Sequence, residues 1–270
     1  MKRLLLTGAN RGLGRALAES LLRKGKHQLC LTTRDALKSS QLASDLASAG
    51  LSSFETAELE MSSEESIGRF ARGVKQPFDV VYLNAGLNLG NLNKFDPLKA
   101  ENTLKTNTLG NLSLIEQLLD KGLVNRGGKI IQVCSELGTM RMIRGEEQKK
   151  LLLEAKNFED IRKICKTYVD ALEKGEIWQS KMSHCPEYAF SKLLVTISAK
   201  VLADDPRVKE RSIESLSVCP GWVRTDMGGP TATYSIEQAV PKLVGLIEMG
   251  PDAANQGRFY SHGKFSGITT

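Results

Sequence analysis

The segment Tyr188-Ala189-Phe190-Ser191-Lys192 places a phenol and an ammonium at i and i+4, on one face of a helix. A cation beside a phenol favours phenolate, which makes Tyr188 a usable acid or base near neutral pH. Alone, Tyr-x-x-x-Lys is a common coincidence of helix surfaces. Its weight comes from two other side chains, Ser135 and Asn107. Ser135 stands just past an apolar run at 129–134, and Asn107 lies in the long helical pattern before it. Read singly, one is a strand-end hydroxyl and the other a polar interruption in a helix. Read with Tyr188 and Lys192, they complete a site that exchanges a proton with an oxygen.

A second constellation opens the chain. Thr7-Gly8-Ala9-Asn10-Arg11-Gly12-Leu13-Gly14 sits between a strand-like run, Arg3–Thr7, and a helical pattern over 13–23. Glycines there allow a tight turn and let backbone amides and a helix N-terminus approach a pyrophosphate. The plain alternative is a glycine-rich βα turn with no ligand. The spacing is neither that of the two-domain dehydrogenases nor a P-loop, since no Gly-Lys-Ser/Thr follows. Just past the second strand stands Arg34, where dinucleotide folds put an acid for the NAD ribose or an arginine for the 2′-phosphate of NADP. Arg11 could reach the same phosphate, so the pair favours NADP(H). The competing reading makes Arg34 a solvated charge and turns Asp35 toward the ribose.

The elements that must position these residues follow from hydrophobic period. Strands are expected at 3–7, 28–32, 53–59, 79–83, 129–134 and 212–218, and helices at 13–23, 37–49, 63–74, 98–123 and 189–203. Six strands joined by crossovers imply an α/β fold, a doubly wound parallel sheet of Rossmann type that binds its ligands outside the carboxyl ends of the strands. One domain over 1–270 is the expectation, with two additions. Residues 139–187 read as an amphipathic helical insertion, carrying Phe158, Ile161, Cys165, Tyr168 and Leu172 at helical spacing, and 222–240 as a substrate loop.

Composition agrees with a globular enzyme: 41% of residues are hydrophobic and 25% charged. The excess of 37 basic over 31 acidic residues gives +6 without a basic stripe, so no nucleic-acid partner is expected. Five cysteines, odd in number and without a C-x-x-C pair, signal neither a disulfide framework nor a metal site. With no secretory or membrane-spanning stretch in the sequence, the expected location is the cytoplasm. A hydrolase is a poor fit, because no G-x-S-x-G elbow occurs and only His27, His184 and His262 could act as a histidine base.

TGANRGLG, Asn84-Ala85-Gly86, Asn107, Ser135, YAFSK and PGWVRTDM (220–227) occur in one order along nearly the whole chain. In this the chain resembles the short-chain dehydrogenase/reductases, and among them the carbonyl reductases, which share a long insertion before the tyrosine and a nearly identical PGWVRTDM loop. The resemblance implies an oxidoreductase that uses NADP(H) to reduce a small-molecule carbonyl. Tyr188 would exchange the proton, Ser135 would hydrogen-bond the substrate oxygen, and Lys192 would hold the nicotinamide ribose and tune Tyr188. Asn107 would position a relay water. By the same resemblance, Asn84, Ala85 and Gly86 line the adenine–ribose side, and Pro220, Gly221, Trp222, Val223 and Thr225 the nicotinamide side. Glu60, after Leu59, replaces the family's adenine-contacting aspartate, and Leu83 stands where the family has a first asparagine. The insertion would cover a dimerisation face and leave a monomer; a partner-binding or neutral insertion is the alternative. A silent NADP-binding scaffold of the same fold is the competing function. Such proteins typically lose the tyrosine or lysine, and both are present here.

Overall fold

The computed structural model describes residues 1–89, 96–178 and 185–266. Leu4, Leu5 and Leu6 of the first strand, β1 (Lys2–Thr7), are almost wholly buried, and their alternation shows how one strand serves two cores. Leu5 joins a cluster on one face of the sheet, while Leu4 and Leu6 join the cluster on the other. Strands buried on both faces read as continuous apolar runs, which is why an alternating pattern is absent from this sequence.

The chain then alternates strand and helix: α1 (Gly12–Arg23), β2 (His27–Thr33), α2 (Ala36–Ser48), β3 (Phe54–Glu58), α3 (Glu64–Gly73) and β4 (Phe78–Leu83). After 96 come α4 (Pro97–Leu104), a π-helical turn (Lys105–Leu109), α5 (Gly110–Asp120) and β5 (Val124–Val133). The insertion contributes α6 (Glu146–Leu153) and α7 (Phe158–Glu173). The remainder is α8 (Pro186–Ala203), α9 (Pro206–Glu210), β6 (Glu214–Val218), α10 (Ile236–Glu248), β7 (Phe259–Ser261) and β8 (Lys264–Ser266). Sheet order is β3-β2-β1-β4-β5-β6-β7-β8, parallel except for the final β7–β8 hairpin. The order reverses between β1 and β4, and there the glycine turn after β1 faces the segment after β4. Helices α1, α2 and α10 cover one face; α3, α5 and α8 cover the other.

Four expectations change. The helix over 98–123 is interrupted at Lys105–Leu109, because a π-helical turn inserts one residue into its hydrogen-bond ladder around Asn107. Among the described residues the sheet has eight strands rather than six; β7 and β8, with three residues each, are too short to leave a periodic signal. α9 and α10 are additional helices, and the expected substrate loop 222–240 ends at Ser235. There a capping box between Ser235 and Gln238 starts α10, so 236–240 are helical. Part of the 139–187 insertion, 179–184 with His184, lies outside the described residues.

The insertion is tied down by aromatic stacking. Tyr168 of α7 lies 3.8 Å from Phe190 of α8, nearly parallel at 19°, and Trp178 meets both edge-on. Tyr168 and Phe190 are fully buried, and Phe190 is two residues from Tyr188. The insertion therefore packs on the helix that presents the phenol. Tyr168→Ala is expected to cost about 3–5 kcal/mol by opening that cluster, read as a lowered urea midpoint at unchanged m-value.

Candidate active site

The glycine turn is built by steric exclusion. Gly8 and Gly12 hold φ of +68° and +55°, a left-handed backbone that glycine tolerates best. Gly14, already in α1, is closer still: a Cβ there would lie 2.3 Å from the Gly8 carbonyl oxygen and 2.6 Å from Asn84 Nδ2. Arg11 occupies the N-cap position of α1 but supplies no capping oxygen, so the first-turn amides are left to an acceptor from outside the helix. The turn thus has the shape and polarity that a pyrophosphate requires.

Thr7, given no role in the sequence reading, clamps this turn to the next strand end. Its buried hydroxyl accepts hydrogen bonds from the backbone N–H groups of Asn84 (3.0 Å) and Ala85 (2.9 Å). Asn84 Nδ2 returns bonds to the carbonyls of Thr7 and Gly8 at 3.0 and 3.2 Å. Asn84 and Ala85 therefore shape the glycine turn. Only the tertiary pairing of two strand ends reveals this, although Thr7 lies inside the motif.

The two guanidinium groups stay at the surface. Arg34 has its Nε 3.7 Å from Glu60 Oε2, with 65% of its side chain exposed, and Arg11 bonds Asp226 at 2.9 Å with 69% exposed. Such exposed pairs contribute little, so both arginines remain open to a competing phosphate. Asp35 is committed elsewhere: its carboxylate caps α2 by accepting from Lys38 N, and these bonds hold its pKa below the usual range. The cap ties one of the Asp35 oxygens to the start of α2. Leu59 is buried and donates its N–H to Thr33 O, while Glu60 binds Ser62 as well as Arg34.

Beyond the carboxyl ends of β4, β5 and β6 the four chemical side chains meet. Lys192, on α8, is 3% exposed; its Nζ donates to the Val133 carbonyl at 2.8 Å and lies 5.6 Å from the centroid of the Tyr188 ring. Burial pushes its pKa down to about 8. Asn107, wholly buried, donates to Leu87 O and to Ser191 Oγ and accepts from Leu87 N, each at 2.9 Å. Both amide hydrogens are committed, leaving one lone pair on Oδ1 for a water. Ser191 is thus another residue that sequence reading passed over. A Cβ on Gly86 would come within 3.3 Å of Asn107 Oδ1 and 3.4 Å of Lys192 Nζ, so the glycine leaves room for these two side chains.

Ser135 Oγ accepts from Leu137 N at 3.2 Å and stands beside the phenol of Tyr188, whose pKa it lowers. Here one expectation is corrected. Burial raises the Tyr188 pKa above that of a free tyrosine, with the nearby thiols of Cys219, Cys185 and Cys134 adding to the rise and Ser135 opposing it. The shift favours the protonated phenol, a proton donor rather than a ready phenolate.

Pro220 to Thr225 follow β6 and approach the glycine turn, with Thr225 3.6 Å from the Cβ position of Gly12. Gly221 has φ +82° and meets the ring of Tyr234; Val223 pairs with Tyr234 in an isolated bridge. Trp222 is 54% exposed, its Nε1 donating to Gly228 O at 2.8 Å. The segment just before Tyr188, expected to shape a substrate pocket, lies partly outside the described residues. Among the described residues no group of His, Cys, Asp and Glu could hold a metal ion, and no helix is long and apolar enough to cross a membrane.

Comparison with known proteins gives a consistent result. A family model described as short chain dehydrogenase matches residues 2–146. The mouse protein carbonyl reductase [NADPH] 1 is 31% identical over 97% of this chain and 94% of its own length; its human counterpart is 30% identical, covering 95% of each. Among solved structures, salutaridine reductase from Papaver somniferum superposes with a TM-score of 0.85 at 20% identity, over 97% of this chain and 100% of that one. An NADPH-bound carbonyl reductase from chicken fatty liver gives 0.70 at 21%, with 99% of each chain covered.

The Thr7 clamp generates a direct test. Thr7→Val keeps the shape but leaves two backbone N–H groups without an acceptor, at about 1–3 kcal/mol each, whereas Thr7→Ser keeps the oxygen. Denaturant unfolding is expected to show a large loss for valine and a small one for serine.

Proposed function

The chain belongs to the short chain dehydrogenase family, and from that premise we propose that it reduces a small-molecule carbonyl, an aldehyde, ketone or quinone, to the alcohol, with Tyr188 as general acid. It is an NADP-dependent oxidoreductase. The reading rests above all on one observation: a buried ammonium and a phenol from one helix, a hydroxyl and a carboxamide, drawn from three distant parts of the chain, converge outside the carboxyl ends of the central strands.

The residues fit the cofactor at both ends. Gly8, Asn10, Gly12, Leu13 and Gly14 form the turn whose amides, with the N-terminus of α1, would hold the pyrophosphate. Arg34 and Arg11 would take the 2′-phosphate, exchanging their surface carboxylates for a ligand of higher charge. Leu59, Glu60, Asn84, Ala85 and Gly86 would line the adenine–ribose side, and Pro220, Gly221, Trp222, Val223 and Thr225 the nicotinamide side. NADPH, when bound, supplies the hydride.

The protein's own part is proton transfer and charge stabilisation. Tyr188 gives its hydroxyl proton to the substrate oxygen as negative charge develops there. Ser135, beside the phenol, donates its own hydrogen to that oxygen and stabilises the charge. Lys192 sets a cation beside the phenol, so that the phenolate left behind is less costly than it would be in that buried place alone. It would also hold the nicotinamide ribose. Asn107 fixes the Leu87 backbone and Ser191 next to Lys192 and keeps one lone pair for a relay water.

We further read the chain as a monomer, since α7 packs over α4 and α8, and keep the cytoplasm as its expected location. Light scattering at the single-chain mass would support this, and a clear dimer would refute it.

Oxidation of NADPH, followed at fixed carbonyl across aldehydes, ketones and quinones and repeated with NADH, tests the assignment. Tyr188→Phe is expected to lower kcat by about 100-fold or more with NADPH binding retained; undiminished turnover would defeat the proposal. Comparable rates with NADH would remove the role given to Arg34 and Arg11. Lys192 is a cation below about pH 8 and neutral above it, so kcat/KM for reduction is expected to fall as pH rises through that value. A profile flat from neutral to strongly basic pH would count against its role.

A further inference from the structure

Behind the segment Pro220–Thr225, side-chain contacts join three stretches of chain that are far apart in sequence. Glu136 directly follows Ser135. Its Oε1 lies 2.9 Å from His262 Nε2 and accepts a hydrogen bond from the Ser261 hydroxyl. The second ring nitrogen, His262 Nδ1, is 3.2 Å from the Tyr234 hydroxyl. With hydrogen on Nε2, the neutral imidazole donates to Glu136 and accepts from Tyr234, so one ring joins a carboxylate to a phenol with both nitrogens satisfied.

Each end of this chain is attached to the site. At one end, the Glu136 backbone lies beside the Cys219 thiol, whose sulfur accepts from Gly221 N at 3.4 Å. At the other, Tyr234 N–H donates to Trp222 O at 2.9 Å, and its carbonyl accepts from Arg224 N at 2.8 Å. The Tyr234 ring fills the space beside Gly221, where a Cβ would come within 2.7 Å of Cδ2. The centre of the chain is costly in backbone terms. His262 and Gly263 have φ of +49° and +79° in the two-residue turn of the β7–β8 hairpin, where Asn or Gly is the ordinary choice before glycine. A histidine held in left-handed backbone suggests that its side chain has a use.

We propose that Glu136, His262 and Tyr234 are positioning residues: a polar brace that sets the turn carrying Ser135 against the segment Pro220–Thr225. The proposal rests on the reading that Ser135 and this segment flank the reacting carbonyl and nicotinamide. A hydroxyl that stabilises developing charge is sensitive to displacements of about 1 Å, and a brace outside the site fixes such a position without touching substrate.

The test uses the full chain and a carbonyl that it reduces, with four variants: His262→Ala, Tyr234→Phe, the two combined, and His262→Gln, which keeps a donor toward Glu136. His262→Ala is expected to lower kcat about tenfold while the NADPH dissociation constant, read by cofactor fluorescence, stays within about twofold. Tyr234→Phe should lose less. The combination should be no worse than His262→Ala alone, since both cut one chain of contacts, and His262→Gln should recover part of the loss. Wild-type kcat in the single variants, losses that multiply in the combination, or losses that track melting temperature without rescue by glutamine would overturn the brace. Amide hydrogen exchange without cofactor reads it independently of turnover. His262→Ala should speed exchange over 135–139 and 219–225 together and leave 7–14 unchanged. Unchanged exchange would refute the brace, even in a chain that reduced no carbonyl and so failed the functional reading.

Discussion

The site is organised around a buried cation. Lys192 has lost nearly all contact with water, and an ammonium in that position is costly unless its hydrogens find acceptors. The Val133 carbonyl supplies one at 2.8 Å, and it lies at the end of β5, where the parallel ladder stops and a backbone oxygen points outward from the sheet. The remaining surroundings leave the ammonium room. Gly86 has no side chain to press against it, and Asn107 is held a short distance away by the backbone of Leu87. The lowered pKa of Lys192 follows from the same burial, so the property useful in proton transfer and the cost to the fold have one origin.

The carboxyl edge of the sheet supplies the other parts through strand ends. Thr7, Leu83, Val133 and Val218 each end a parallel strand, and the residues that follow them are the glycine turn, Asn84 to Gly86, Ser135 and Pro220 to Thr225. Parallel strands in register bring these turns to a common level, so residues more than 200 positions apart become neighbours. The π-helical turn after α4 does the same from the helical layer. By inserting a residue into the ladder it swings Asn107 toward Leu87 and Ser191. A regular helix through 98–123 would present that position at a different angle.

Electrostatics divides the proposed cofactor site into an open end and a closed one. Arg11 and Arg34 are exposed and only loosely paired, so a phosphate gains a charge-assisted partner at little cost. Around Tyr188 the opposite holds: desolvation raises the pKa of the phenol and favours its neutral form, with Ser135 opposing the rise. A cofactor phosphate would thus meet open cations at one end of the proposed site, and the proposed proton donor would be the more desolvated group at the other.

Much of this was legible in the sequence because its signals are local. The glycine spacing, the i, i+4 phenol and ammonium, the apolar runs of β1, β2, β4 and β5 and the amphipathic stripe of α7 each depend on residues a few positions apart, and backbone sterics or helical period turn them directly into structure. What the tertiary structure decided depends on distance in space. The two acceptor bonds of Thr7, the triple engagement of Asn107 by Leu87 and Ser191 and the chain from Glu136 through His262 to Tyr234 all join segments between 20 and about 125 residues apart. The protonated state of Tyr188 belongs with them, because a pKa is set by how much water a folded neighbourhood excludes. A sequence lists the charges around a group, but only packing sets its desolvation.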